Sequence, residues 1–223
     1  MTVAPVPSPP AVRTPASAPR FKRADEWLRS LGNIPPHRIL LDPPPGTATV
    51  DDVIRLSDHE DRGVELVDGT LVEKPAGYIE SVIAANVIRL LGPWAKAGNR
   101  GLVSSEHGMI RMLVGNIRMP DVAFVRREDL PGGQAPREAA PQIAPALAVE
   151  VLSPSNTDEE MRIKLREYFD SGVRVVWMLD PPTQTLRVYD GPDRFRQLTR
   201  DDVLEGGTHL PGFSVQVGAL FET

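Results

Sequence analysis

Apolar and polar positions along the chain switch between the period of a strand and the period of a helix, and this switching predicts a mixed α/β domain. The run VELVDGTLVE, starting at Val64, alternates about an Asp68–Gly69 pair. That dipeptide suits the positive φ angles of a type I′ turn, so the run predicts a β-hairpin. From Tyr78 to Lys96, residues Ile79, Val82, Ile83, Val87, Leu90, Leu91 and Trp94 recur at helical spacing and predict a long amphipathic helix. Short apolar runs at Gly101–Ser105, Met109–Leu113 and Asp121–Val125 predict three strands. The segment Ala146–Leu152, ALAVEVL, is apolar throughout except at Glu150, as expected of a strand covered on both faces. A helix over Asn156–Ser171 follows, opened by Asn156 or Thr157 with acidic residues in its first turn and closed by Gly172. Arg174–Leu179 predicts another buried strand, and Leu186–Tyr189 with Phe195–Leu198 an edge hairpin or meander.

Upstream of Val64 the pattern weakens. Residues 1–20 are rich in Pro, Ala and Ser and read as a disordered tail. Residues 21–49 read as an extension and connector, with a short helix around Lys22–Leu31 and a Pro-rich link from Asn33 to Gly46. The folded domain is assigned to residues 50–223, with Thr49 and Asp52 at a helix start and Val53, Ile54 and Leu56 as its weak apolar face. Arg126–Ile143, polar and rich in Gly and Pro, predicts a long loop.

The 223 residues contain no Cys, which excludes disulfides, thiolate catalysis and Cys-ligated zinc and points to the cytoplasm. No apolar stretch approaches the roughly 20 residues of a membrane span. The four His residues lie too far apart in sequence to suggest a zinc site. The net charge of −5 weighs against a passive nucleic-acid binder, which needs a basic face. It weighs less against a metal-dependent enzyme, which gathers carboxylates at its centre and lets the metal supply positive charge.

Two carboxylates interrupt otherwise apolar strands: Asp121, at the head of DVAFV after Pro120, and Glu150, inside ALAVEVL. Ionised carboxylates in such positions need compensation, and a divalent cation is a strong compensator. The structural alternative is an Asp that caps a loop and a Glu paired to an Arg such as Arg118. In the helix after Glu150, Met161, Leu165 and Tyr168 form an apolar stripe, with Lys164 at its edge and Glu160 and Glu167 further out. Lys164 can lean back toward the preceding strand or lie along the surface over apolar neighbours. Ser153 and Ser155, in the turn after Glu150, suit either a contact to that carboxylate or ordinary turn formation. Trp177 reads as core and Asp180 as a turn residue.

The segments ELVDGTLVEKP, GNIRMPDVAFV, PALAVEVLSPSN, KLREYFDSGV and VVWMLDP occur in this order, and together they resemble the successive blocks of the Uma-two family of endonucleases. That family belongs to the PD-(D/E)XK, restriction-endonuclease-like superfamily, and the likeness runs from about Val50 to Phe221. The resemblance implies a central mixed β-sheet flanked by helices, and a nuclease that hydrolyses phosphodiester bonds of nucleic acid, with DNA favoured. It implies that Asp121 and Glu150 hold Mg²⁺ or Mn²⁺ and that Glu65 adds a metal or water contact. The motif Lys, two residues beyond the Glu, is Leu152 in this chain. Related proteins carry that Lys on the following helix, where Lys164 matches, to orient water or stabilise developing charge. A homodimer is expected by analogy with enzymes that cut both strands of a duplex. Two other classes remain open: a catalytically degenerate nuclease fold acting as a binding or assembly module, and a metal-dependent hydrolase of small phosphorylated molecules.

Overall fold

The computed structural model describes residues 21–60, 63–75 and 77–223; the tail expected at 1–20 lies outside the described residues. In chain order the helices and strands are α1 (Ala24–Ser30), α2 (Val50–Glu60), β1 (Val64–Val67), β2 (Thr70–Glu73), α3 (Tyr78–Ala97), β3 (Gly101–Ser105), β4 (Ile110–Arg111), β5 (Ile117–Arg118), β6 (Val122–Arg126), β7 (Leu147–Val151), α4 (Asp158–Asp170), β8 (Val175–Asp180), β9 (Thr185–Gly191), β10 (Arg194–Leu198), β11 (Val203–Glu205) and β12 (Ser214–Gln216). The main sheet has the order β10-β9-β8-β7-β6-β3, and a smaller one has the order β2-β1-β5-β4. In the main sheet only β7 and β8 are parallel, and α4 is the crossover that joins them. No helix among the described residues is long and apolar enough to cross a membrane.

The sheet is covered on both faces, as ALAVEVL predicts. Val122, Phe124, Leu147, Val149, Val151, Val175, Trp177 and Leu179 pack in one cluster with Ile83, Val87 and Leu91 of α3. The alternate positions Ala123, Ala148, Val176 and Met178 pack with Met161, Leu165 and Tyr168 of α4. This alternation is the period-2 rule of a strand, and it decides which polar side chains can meet α4.

The hairpin forms where expected, with Asp68 at φ 47° and Gly69 at φ 70° in its turn. The Thr49–Asp52 signature also holds, since Asp52 Oδ2 accepts from Thr49 N–H at 2.9 Å at the start of α2. Three expectations shift. The strand expected over Met109–Leu113 shrinks to β4, and β5 escaped detection, because each is a two-residue strand too short for a period to show. The start of α4 narrows from Asn156 or Thr157 to Thr157, whose Oγ1 accepts from Glu160 N–H at 3.0 Å and closes a capping box. The loop 127–143 contains two 3₁₀ turns, at Arg127–Asp129 and Pro131–Gly133.

The extension before residue 50 is built into the fold. Gly32, at φ 83°, lies so close to α4 that a Cβ there would sit 2.6 Å from the Cα of Glu160. Its carbonyl accepts a hydrogen bond from Thr157 Oγ1. The capping residue of α4 therefore also anchors the extension.

Candidate active site

The register of the main sheet brings the two strand carboxylates together. Strands β6 and β7 pair antiparallel with Val122 opposite Val149, and one further step sets Asp121 opposite Glu150. Both then project from the face that α4 covers, since Asp121 shares parity with Ala123 and Glu150 with Ala148. Asp121 Oδ2 accepts from the Val151 N–H at 2.6 Å, which fixes the carboxylate at the end of the pair.

From above, α4 lowers a polar stripe onto this pair. Lys164 is 4% exposed and lies within the buried stripe, between Met161 and Tyr168, rather than snorkelling over it. Its ammonium reaches Glu150 Oε2 at 3.0 Å and Glu65 Oε1 at 3.0 Å. One turn on, Tyr168 donates its hydroxyl to Glu150 Oε1. Glu160 and Glu167, expected further out, also turn inward. Glu160 forms a two-pronged pair with Arg38, at 2.9 and 2.8 Å. Glu167 accepts from Arg118 Nε at 2.6 Å and from Asn116 Nδ2 at 3.0 Å. Positions 160, 164, 167 and 168 lie at helical spacings of three and four, so one side of α4 carries both charge signs into the core.

The smaller sheet supplies the rest. Glu65 on β1 is buried, and Arg118 on β5 donates to its Oε2 at 2.9 Å while Met119 N–H donates to Oε1 at 3.0 Å. Arg118 is thus the partner of Glu65 and Glu167, not of Glu150. Just past β2, Lys74 Nζ stands 2.6 Å from Asp121 Oδ1. From the extension, Arg38 donates to the carbonyls of Glu73 at 2.9 Å and Ser155 at 3.1 Å as well as to Glu160. It ties together the end of β2, the turn after β7 and the first turn of α4. Ser153 stays within its own turn, with its N–H on Asn156 Oδ1 at 3.0 Å and its hydroxyl 3.2 Å from that of Ser155.

The two buried glutamates respond in opposite directions. Burial pushes both carboxyls up. For Glu65 the Lys164 ammonium, the Arg118 guanidinium and the Met119 N–H outweigh burial and hold the group at about 2. For Glu150 burial wins against Lys164, helped by repulsion from Asp121, and the carboxyl is held above its ordinary value. Burial disfavours the charged form of Lys164, but Glu150 and Glu65 more than offset this and hold its ammonium above the usual lysine range. Burial and the neighbouring Glu150 raise the Tyr168 phenol, so it remains a hydrogen-bond donor.

The named groups comprise five carboxylates (Glu65, Asp121, Glu150, Glu160, Glu167) and four cations (Arg38, Lys74, Arg118, Lys164), joined by ion pairs. One negative charge is left over, so the cluster accommodates further positive charge. Hard carboxylate oxygens suit Mg²⁺, which keeps several waters and binds through one or two carboxylates. Asp121, with its side chain 15% exposed, and Glu150 beneath it fit that modest requirement. Among the described residues no set of three acidic or His side chains is arranged to hold a metal. Glu65, whose oxygens are engaged by Arg118, Lys164 and Met119, lies beside the pair through its ion pair with Lys164.

Of the residues singled out from sequence, Asp121, Glu150, Lys164 and Glu65 thus converge, and Ser153 does not join them. Lys74, Arg38 and Tyr168 were missed as members of the cluster. Lys74 carried a faint signal, being the cation that directly follows the hairpin of Glu65. Arg38, inside a Pro-rich link, carried none.

The sheet, its parallel β7–β8 pair and the acid–lysine cluster at the strand ends define a restriction-endonuclease-like domain. Residues 50–218 match the Uma2 (Uma-two) family, described as "Putative restriction endonuclease", and the chain belongs to that family. Its fold is similar to that of a solved structure described as a putative nuclease belonging to DUF820 from Anabaena variabilis ATCC 29413. The TM-score is 0.67 at 19% identity, covering 78% of this chain and 97% of that one. No curated protein matches the chain. Arg38, and with it the anchoring of the cluster by the extension, lies outside the family-matched segment.

Proposed function

We propose that the protein is a divalent-metal-dependent nuclease that hydrolyses phosphodiester bonds, with DNA the favoured substrate. The observation that carries this reading is the convergence on one buried point of Asp121, Glu150 and a lysine, Lys164, that replaces the one displaced by Leu152. Asp121 and Glu150 would hold Mg²⁺ or Mn²⁺. When bound, such an ion polarises a phosphoryl oxygen and makes its attached water more acidic. Lys164 donates a hydrogen bond to Glu150 Oε2 and stands in an ion pair with Glu65 Oε1, so it keeps both acids beside a positive charge. Its ammonium would orient water or stabilise developing charge on the phosphoryl group. Tyr168, through its bond to Glu150 Oε1, orients that carboxylate and takes no part in proton transfer. The likeness to proteins described as nucleases supports the same substrate class. A dimer, which would place two such sites on one duplex, is part of this reading.

The test is cleavage of supercoiled plasmid, linear duplex and single-stranded RNA in Mg²⁺ or Mn²⁺. Asp121→Asn, Glu150→Gln and Lys164→Met are each expected to lower the rate by about 100-fold or more, the scale of losing one aligned electrostatic group. Absence of cleavage of every substrate, with Mn²⁺ bound to the folded protein, would overturn the reading. One observation favours a second reading, a nuclease fold retained as a binding module: both oxygens of Glu150 and of Asp121 already have partners within the protein. In that case Asp121→Asn lowers the melting temperature and changes no cleavage rate.

A further inference from the structure

Lys74 differs from the other cations of the cluster. Arg38, Arg118 and Lys164 each donate an aligned hydrogen bond to a carboxylate. The Lys74 ammonium, with its side chain only 10% exposed, donates none among the described residues. What holds it is charge: Asp121 Oδ1 at 2.6 Å, with Glu150 and Glu65 near enough for its field to favour their ionised forms. A buried ammonium with its N–H groups unused is costly unless a carboxylate needs it there.

The position it takes is the one a metal would need. Asp121 Oδ2 is committed to the Val151 N–H, so Oδ1 is the oxygen left to receive a cation. A divalent ion sits about 2.1 Å from such an oxygen, which would bring it against the ammonium with no screening between them. Placed together on Oδ1, the two cations would repel each other strongly. Exchange needs no backbone movement. The main chain here is pinned by the Lys74 N–H on the Gly63 carbonyl at 2.8 Å and by Arg38 on the Glu73 carbonyl at 2.9 Å. The four-carbon stem of the lysine can turn while its Cα stays fixed.

We infer that Lys74 is a resident counter-cation of Asp121 that competes with the divalent ion for Oδ1 and thereby sets the metal affinity of the site. This rests on the reading of Asp121 and Glu150 as the metal-holding pair. Lys74 is a tuning residue rather than a metal ligand, and it makes affinity depend on an internal charge that no external chelator removes.

The full chain, stripped of metal with a chelator, is titrated with MnCl₂ by calorimetry as wild type, Lys74→Met, Lys74→Gln, Lys74→Arg and Asp121→Asn. Lys74→Met and Lys74→Gln are expected to bind Mn²⁺ about ten-fold more tightly or better, the size of an ordinary coupling between two ligands. Lys74→Arg, which keeps the charge, is expected to show no tightening, and Asp121→Asn to show no binding. Melting temperature gives an independent readout: saturating Mn²⁺ should raise it more in Lys74→Gln than in wild type. Gln keeps a polar end group without the charge, so it carries the test if Lys74→Met fails to fold. If both neutral variants bind no more tightly than wild type while Asp121→Asn does not bind, competition is overturned and the metal-holding pair stands. If neither wild type nor the Lys74 variants bind Mn²⁺, the pair itself is overturned, and the inference with it.

Discussion

Glu65 and Glu150 are both buried, both acidic and both bonded to the same lysine, yet the smaller sheet and the main sheet treat them in opposite ways. On the smaller sheet Glu65 receives Arg118, Lys164 and a backbone N–H, and its carboxyl is held at about 2. On the main sheet Glu150 receives Lys164 and the Tyr168 hydroxyl but faces Asp121 across the strand pair, and its carboxyl is held above the usual range. One region is an electrostatically finished joint. The other sets two acids side by side, each beside a lysine, and burial with their mutual repulsion still holds Glu150 above its ordinary value. Burial alone therefore does not separate a structural acid from a candidate functional one; the count of donors against nearby anions does.

The comparison breaks most severely at Arg118. Arg118→Met strands Glu167 and half of Glu65 in the core, and it is expected to cost about 3–5 kcal/mol, read from urea denaturation. The pH dependence of stability sharpens the contrast next. Because the folded Glu65 carboxyl lies below its ordinary 4.5, its contribution is complete above pH 4.5 and is lost as pH falls toward about 2. Glu65→Gln should flatten the acid limb of a melting-temperature profile in that window. Glu150 has the opposite sign: its raised value costs stability as pH climbs above 4.5, so Glu150→Gln should flatten that decline instead. Equal slopes for the two variants would sink the distinction. The smallest effect is expected from Tyr168→Phe, which removes one hydrogen bond to a buried carboxylate, about 2 kcal/mol by the same denaturation measurement.

Much of the fold was legible because its long elements carry strong periods: the hairpin about Asp68–Gly69, the amphipathic α3 and the doubly buried β7 appear where the pattern puts them. The Asp121–Glu150 pair was legible for the same reason, since a single acid in an apolar strand stands out. Glu160 and Glu167 were misplaced because a helical stripe drawn from apolar residues alone assigns charged neighbours to the solvent side. Here those neighbours face buried arginines from β5 and from the extension. Lys74, with its faint signal, and Arg38, with none, were missed for a different reason. Their partners lie on segments remote in sequence, and only the tertiary register brings them close.

That remoteness bears on when the cluster can exist during synthesis. The acceptors of Arg38 follow it by 35, 117 and 122 positions. At the usual pace of translation, Arg38 leaves the ribosome on the order of ten seconds before Glu160 is made. Throughout that interval the hairpin of Glu65 and the strand of Asp121 lack the helix that carries Lys164. The pairs Glu65–Arg118 and Asp121–Lys74 precede α4 in the chain, and the cluster is complete as one charged unit only once α4 has been added.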